Sequence, residues 1–276
     1  TEPAFTENLL EYGGKYYKIG SKRLEVKDTK VTDENYYMLT LAAVAKELKI
    51  RGKKTAHVLL AVGLPLTRFG DEKKDFVSYL SKRKEVVFTF EKEKYHIFIE
   101  NVCVYPQCYA AVIDRIDRFP EKQLVVDVGS WTVDIMPIIS HLPDESACVT
   151  QPHGIITCIQ QINKECVRQL NAEVDEYDIQ KVMVNGGGGL PEKYQAIIVK
   201  EIRDYCKQIY HNIRELGYNM DLTQIIFVGG GAGVMKRFGG LEQKNIQYIE
   251  DVKANAKGYE MLGNAYLAQA QKRRIG

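Results

Sequence analysis

An α/β architecture is the fold class this sequence predicts, and three observations predict it. Short β-rich apolar runs alternate with longer stretches that carry apolar residues at helical spacing. Glycine clusters punctuate the chain after apolar segments, at Gly129, at Gly186 to Gly189 and at Gly229 to Gly231. The chain has 276 residues, which at roughly 150 residues per domain is the size of two domains or one large α/β unit.

The elements follow in order. Phe5 to Tyr12 and Lys15 to Ile19 flank Gly13-Gly14, a two-residue turn of the kind hairpins favour. Tyr36 to Leu48 reads as a helix with Asp33 as its cap. Thr55 to Val62 is a strand that runs into Gly63-Leu64-Pro65-Leu66, and Asp71 to Arg83 is a charged amphipathic helix. Glu85 to Phe90 and Lys94 to Val104 alternate as strands about a turn at Glu91-Lys92-Glu93, and Pro106 to Ile116 is read as a further helix. Leu124 to Val128 and Val133 to Ile139 are strands around Gly129-Ser130-Trp131-Thr132. Helices are expected from Gly154 to about Asn171, from about Glu192 to Leu216 and from Asn255 to about Lys272, with a strand over Gln224 to Val228.

Composition removes several function classes. With 45% hydrophobic and 27% charged residues the chain is ordinary globular material, neither collagenous, disordered nor a disulfide scaffold. Thirty-eight basic residues against 36 acidic ones leave a formal charge of +2, which disfavours a dedicated nucleic-acid groove. No apolar run reaches the roughly 20 residues needed to span a bilayer, and a cytoplasmic setting without membrane partners is expected. The six cysteines show no C-x-x-C and no Cys/His ligand spacing, which disfavours zinc. The five histidines are dispersed with no nucleophile elbow, so hydrolase triads find no support. Nothing beside the glycines at 186–189 supplies Lys-Ser/Thr, which excludes a P-loop there.

Two segments carry chemistry. Asp127-Val-Gly-Ser-Trp-Thr-Val-Asp134 has the form strand, tight turn, strand. A carboxylate at a strand end can hold Mg²⁺ through water, Gly129 admits a phosphate close to backbone, and Ser130 and Thr132 can donate to phosphate oxygens. The same residues also fit a plain β-hairpin with an Asp-initiated turn. Ile225 to Gly233 delivers Gly229, Gly230 and Gly231 from a buried strand into a loop, suited to a phosphorylated ligand or to an ordinary strand-to-helix turn.

Together the two segments resemble the actin/Hsp70/sugar-kinase superfamily with its ribonuclease H-like, two-lobed nucleotide-binding fold, and within it the plasmid-segregation actins of the ParM/StbA kind. The first would be that family's phosphate 2 hairpin and the second its adenosine loop. Asn255 to Gly263 is similar to the closing connect 2 helix, Val104 to Ala111 to connect 1, and Leu60 to Leu66 to the family's strand-to-Leu-Pro-Leu segment. The resemblance implies a first lobe over residues 1–122 closed by a helix at 255–272, and a second lobe over 123–254.

By position, the resemblance makes Asp127 the metal-holding and catalytic carboxylate. Gly129, Ser130 and Thr132 would cradle the β/γ-phosphates, and Gly229, Gly230 and Gly231 would pack against the α-phosphate and adenosine. Gln107 would orient the attacking water, a role met by geometry since a neutral amide is a poor base. Lys200 and Glu201 would meet the ribose or adenine edge, unless they are simply a pair on a charged helix.

The implied cofactor is ATP, or GTP, with Mg²⁺, and the implied function is an actin-like ATPase forming nucleotide-dependent filaments for plasmid DNA segregation. Its partners would be further copies of itself and a DNA-binding adaptor, which agrees with the small net charge. A small-molecule kinase of the same superfamily and a non-hydrolysing cytoskeletal scaffold are the alternatives, although Asp134 inside a strand is a poor substrate-cleft carboxylate. The family's first phosphate turn has no counterpart ahead of Gly13-Gly14, so the expectation is that the opening strands are absent from this chain. Each lost charge-assisted hydrogen bond would weaken nucleotide binding by roughly 1.5–3 kcal/mol.

Overall fold

The computed structural model describes residues 7–20, 29 and 31–275. The chain divides into two compact units, one made of Thr1–Leu64, Arg68–Tyr105 and Gly263–Gly276, the other of Pro65–Thr67 and Pro106–Leu262. The boundaries read from sequence, at 122/123 and 254/255, both fall inside the second unit.

The first unit is built on a five-stranded sheet of order β2-β1-β4-β5-β3, with β1 Leu9–Tyr12, β2 Lys15–Lys18, β3 Thr55–Leu64, β4 Glu85–Phe90 and β5 Glu93–Pro106. The opening hairpin forms about Gly13 and Gly14, both at positive φ, while Phe5 and Thr6 lie outside the described residues. Between β1 and β3 runs helix α1, Glu34–Ile50, which starts where the Asp33 side chain accepts from the Asn35 N–H at 3.1 Å. Tyr37, Met38, Leu41, Ala42, Ala45 and Leu48 form its buried stripe and pack with Phe76 and Leu80 of α2, Leu66–Leu80, in one apolar core. Helix α2 begins five residues before the expected Asp71, because Pro65 needs no intrahelical N–H partner at a helix start.

The β4–β5 connection is tighter than expected. Glu91 and Lys92 form a two-residue turn at φ +52° and +69° without any glycine. Tertiary bonds hold it there: the Glu91 carboxylate accepts from the Asn8 N–H at 3.0 Å and pairs with Lys49 at 2.9 Å.

The second unit holds a six-stranded sheet of order β11-β10-β6-β7-β8, with β9 also on β7. Its strands are β6 Lys122–Val128, β7 Val133–Ile139, β8 Leu142–Pro143, β9 Val149–Gln151, β10 Gln224–Val228 and β11 Ile246–Tyr248. β6, β10 and β11 run parallel, and β7 lies antiparallel to β6. Leu124, Val126 and Val128 of β6 turn one way, into a core shared with α4 Ile155–Leu170, α5 Glu176–Asn185, α6 Glu192–Glu215 and α7 Ala232–Phe238. Val125 turns the other way, into a core with Cys108, Val112, Ile116, Ile249 and Ala254. Strand alternation puts Asp127 on that second side, facing the start of α8, Ala254–Ile275.

One expectation is corrected, and one helix appears that the sequence reading did not mark. The helix read over Pro106 to Ile116 is only α3, Tyr109–Val112, followed by a 3₁₀ turn at Ile116–Arg118. Cys108 sits at φ +62°, which no helical residue adopts, so the helix cannot begin before it. The segment Val182-Met183-Val184 belongs to helix α5, capped by Asp175 and ended by Gly186 at φ +79°. The glycine run at 186–189 is therefore a helix end, and at Gly188 a Cβ would stand 2.9 Å from a Val182 methyl.

Candidate functional site

The site forms where β6 and β10 end and β7 begins. Val228 of β10 is in register with Asp127 of β6, and Asp127 is directly opposite Asp134 of β7. The two segments singled out in the sequence, which in isolation each admit a plain turn, thus lie side by side at the same end of two adjacent strands of one sheet.

The turn after β6 closes with the Gly129 N–H donating to the Thr132 carbonyl at 2.9 Å. Its carbonyls are used on one side: Gly129 and Ser130 accept from the Ile155 and Ile156 N–H groups, each at 3.0 Å, and Trp131 accepts from the Gly154 N–H at 3.0 Å. Helix α4 is therefore seated on the turn, and it needs glycine at 154, where a Cβ would come within 2.5 Å of the Ser130 oxygen. Among the described residues the backbone N–H groups of Ser130 and Thr132 make no hydrogen bond. With the carbonyls committed to α4, these donors remain for a ligand.

The second loop crowds the first. A Cβ on Gly229, at φ +82°, would strike Asp127 Oδ1 at 2.1 Å, and one on Gly231 would strike Val128. Gly230 has open space about it. Glycine is required at 229 by both backbone angle and space.

Asp127 is 8% exposed. Its Oδ2 accepts from Asn255 Nδ2 at 2.7 Å, while the Asn255 Oδ1 accepts from the Cys108 N–H at 3.1 Å. Burial pushes the Asp127 carboxyl up from 3.8 to about 6; the Asn255 hydrogen bond opposes that rise and the Asp134 charge adds to it. Asp134 is served by hydroxyls, accepting from Thr132 at 2.9 Å and Thr150 at 2.6 Å. The two carboxylates face each other across the antiparallel pair, and each has its own hydrogen-bond donors.

These residues fit a Mg²⁺-bound nucleoside phosphate. Gly229 and Gly231 let the second loop pack directly on Asp127 and Val128, Gly230 faces open space, two backbone donors stand free in the neighbouring turn, and a carboxylate that gains by a nearby cation lies at the strand end. Mg²⁺ keeps most of its waters and needs only one or two protein carboxylates; among the described residues no group of three or more His, Cys, Asp or Glu could cage a metal.

The other expected residues fall into two places. Gln107 immediately precedes Cys108 in the same unit, half-buried after β5. Lys200 and Glu201 lie on α6, where Lys200 Nζ is paired with Glu201 at 2.8 Å and Asp204 at 3.0 Å. Lys200 lines an open groove of about 670 Å³ with Leu190, Gln195, Val199, Arg203 and Lys207. No described hydrogen bond connects Lys200 or Glu201 to Asp127. Sequence reading assigned no role to Asn255, Thr150 or Gly154; an Asn at the start of a helix is commonplace, and only the fold shows what it meets.

Residues 4–109 match the family described as Actin like proteins N terminal domain. No curated protein matches the chain. Among solved structures, the chain resembles the archaeal actin homolog Ta0583 in complex with ADP, at 21% identity and TM-score 0.73, covering 91% of this chain and 87% of that one. It resembles Bacillus thuringiensis ParM with ATP at 15% identity and TM-score 0.66, covering 91% and 79%. It also resembles the Alp12 filament at 16% identity and TM-score 0.65, covering 95% and 85%. At these identities the likeness establishes the fold, which is actin-like.

Proposed function

We propose that this chain, an actin-like protein by fold, is a nucleotide-dependent ATPase that assembles with copies of itself into filaments and segregates plasmid DNA through a DNA-binding adaptor. The observation that carries the nucleotide part is the meeting of the Asp127–Thr132 turn with the Gly229–Gly231 loop in register on adjacent strands. The structures with ADP and ATP, and the filament of Alp12, support the reading.

In this reading Asp127 would hold Mg²⁺ through the metal's waters, and Ser130 and Thr132 would donate backbone N–H groups to phosphate oxygens. Gly229 to Gly231 would let backbone approach the α-phosphate and adenosine, and Gln107 would orient the attacking water. Bound Mg²⁺ would supply charge neutralisation on the phosphates. Lys200 and Glu201 would take the nucleoside end, with Lys200 exchanging one carboxylate partner for a ligand oxygen. No helix among the described residues is long and apolar enough to cross a membrane.

Sedimentation and negative-stain electron microscopy with Mg-ATP, Mg-ADP or no nucleotide test the assembly. Filaments in one nucleotide state and their loss in Asp127→Ala are expected. Filaments identical in all three conditions would support a scaffold without turnover, and their absence in every condition would remove the proposal.

A further inference from the structure

We infer that Asn255 is a positioning residue that joins the Asp127 carboxylate to the backbone at Cys108, so that a change at one is transmitted to the other. The planar side-chain amide has one donor end and one acceptor end, and both are used: Nδ2 donates to Asp127 Oδ2 at 2.7 Å and Oδ1 accepts from the Cys108 N–H at 3.1 Å. The opposite amide orientation would set oxygen against carboxylate and NH₂ against N–H, so the partners dictate the orientation.

Both ends are buried, Asp127 at 8% exposure and Cys108 at 1%. Cys108 holds φ +62°, a conformation that a non-glycine residue keeps only where its surroundings fix it. A second close approach joins the same two segments three residues further along α8. A Cβ on Gly258 would stand 1.9 Å from the Ala110 carbonyl oxygen.

The two segments are those by which the chain leaves the first unit after Tyr105 and returns to it at Gly263. At their ends within the second unit, both are tied to the carboxylate that closes β6. The link itself rests on geometry alone; its use as a report of nucleotide state rests on the function proposed above.

Amide hydrogen exchange of the nucleotide-free chain tests the link. Asp127→Ala leaves the Cys108 acceptor intact yet frees Asn255, and is expected to speed exchange at the Cys108 amide by about tenfold, with core amides of α6 unchanged. Asn255→Leu is expected to do the same, with Asn255→Ala as the alternative if the leucine variant does not fold. The double variant is expected to exchange no faster than the Asn255 variant alone. Wild-type exchange at Cys108 in Asp127→Ala, or effects that simply add in the double variant, would overturn the inference. In a parallel arm, Mg-ATP should slow Cys108 exchange in the wild type and not in Asn255→Leu. A coupled cycle with no response of the wild type to Mg-ATP would leave the link standing and count against the nucleotide reading instead.

Discussion

Asn255 Nδ2 lies 2.7 Å from Asp127 Oδ2, a hydrogen bond between residues 128 apart in the chain. It opposes the effect of burial, which raises the Asp127 carboxyl from 3.8 to about 6. A carboxylate that is costly to ionise gains most from a cation placed beside it.

The pH dependence of stability follows from that rise. The folded chain holds the Asp127 proton more tightly than the unfolded chain, so it binds more protons between about pH 4 and 6. Stability is lost as pH rises through this window. The displacement from 3.8 to about 6 corresponds to at most about 3 kcal/mol. Asp127→Asn cannot ionise; it is expected to be about 1–3 kcal/mol more stable than the wild type at pH 7 without Mg²⁺. Urea unfolding at pH 4 and pH 7 checks this, since the variant's advantage should vanish at the lower pH.

Gly229→Ala meets two obstacles. Its φ of +82° disfavours alanine by roughly 1–2 kcal/mol, and its Cβ would fall 2.1 Å from Asp127 Oδ1. Turning the carboxylate aside sacrifices the Asn255 bond, about 1.5–3 kcal/mol more. Thermal unfolding should show a loss of roughly 3–5 kcal/mol, together with loss of nucleotide binding.

Gly258 and Gly263 make an internal control on one helix. Alanine in place of glycine favours a helix interior by about 1 kcal/mol. At 258 the new Cβ would stand 1.9 Å from the Ala110 backbone oxygen, which cannot rotate away, whereas at 263 it meets a Leu59 methyl at 3.3 Å and the Ala61 Cβ at 3.4 Å. Gly258→Ala should destabilise by about 1–3 kcal/mol and Gly263→Ala should be near neutral. Denaturant midpoints of the two variants, measured side by side, decide it.

Lys92→Gly is expected to stabilise. Lys92 is exposed, and its φ of +69° is unfavourable for any residue with a Cβ. Relief of about 0.5–1 kcal/mol is expected after the extra unfolded-state entropy of glycine, read as a rise in melting temperature.

Gln107→Ala should separate chemistry from binding. A residue that orients water contributes to turnover, so kcat for ATP hydrolysis should fall by about tenfold to a hundredfold while nucleotide affinity holds. Equal loss of affinity would make Gln107 a ligand contact instead.

The sequence by itself determined the parts that depend on local pattern. The apolar runs on either side of Gly129 to Thr132, the Asp33 cap of α1 and the Gly13-Gly14 hairpin each carry their cause within a few residues, and each forms where expected. Order along the chain also marked the actin-like fold. What only the tertiary structure decided has its cause elsewhere in the chain. The turns at Glu91-Lys92 and Ser140-His141 adopt the same positive φ pair as Gly13-Gly14 but carry no glycine to announce it. The helix expected from Pro106 is stopped by the backbone angle of Cys108, whose N–H is held by Asn255. Which way Asp127 faces follows from strand parity, but what it faces is set by tertiary packing that brings Asn255, at the start of α8, to its carboxylate. A hydrogen bond between residues 127 and 255 leaves no periodic trace in either segment, because its geometry exists only once the sheet and the helix have packed.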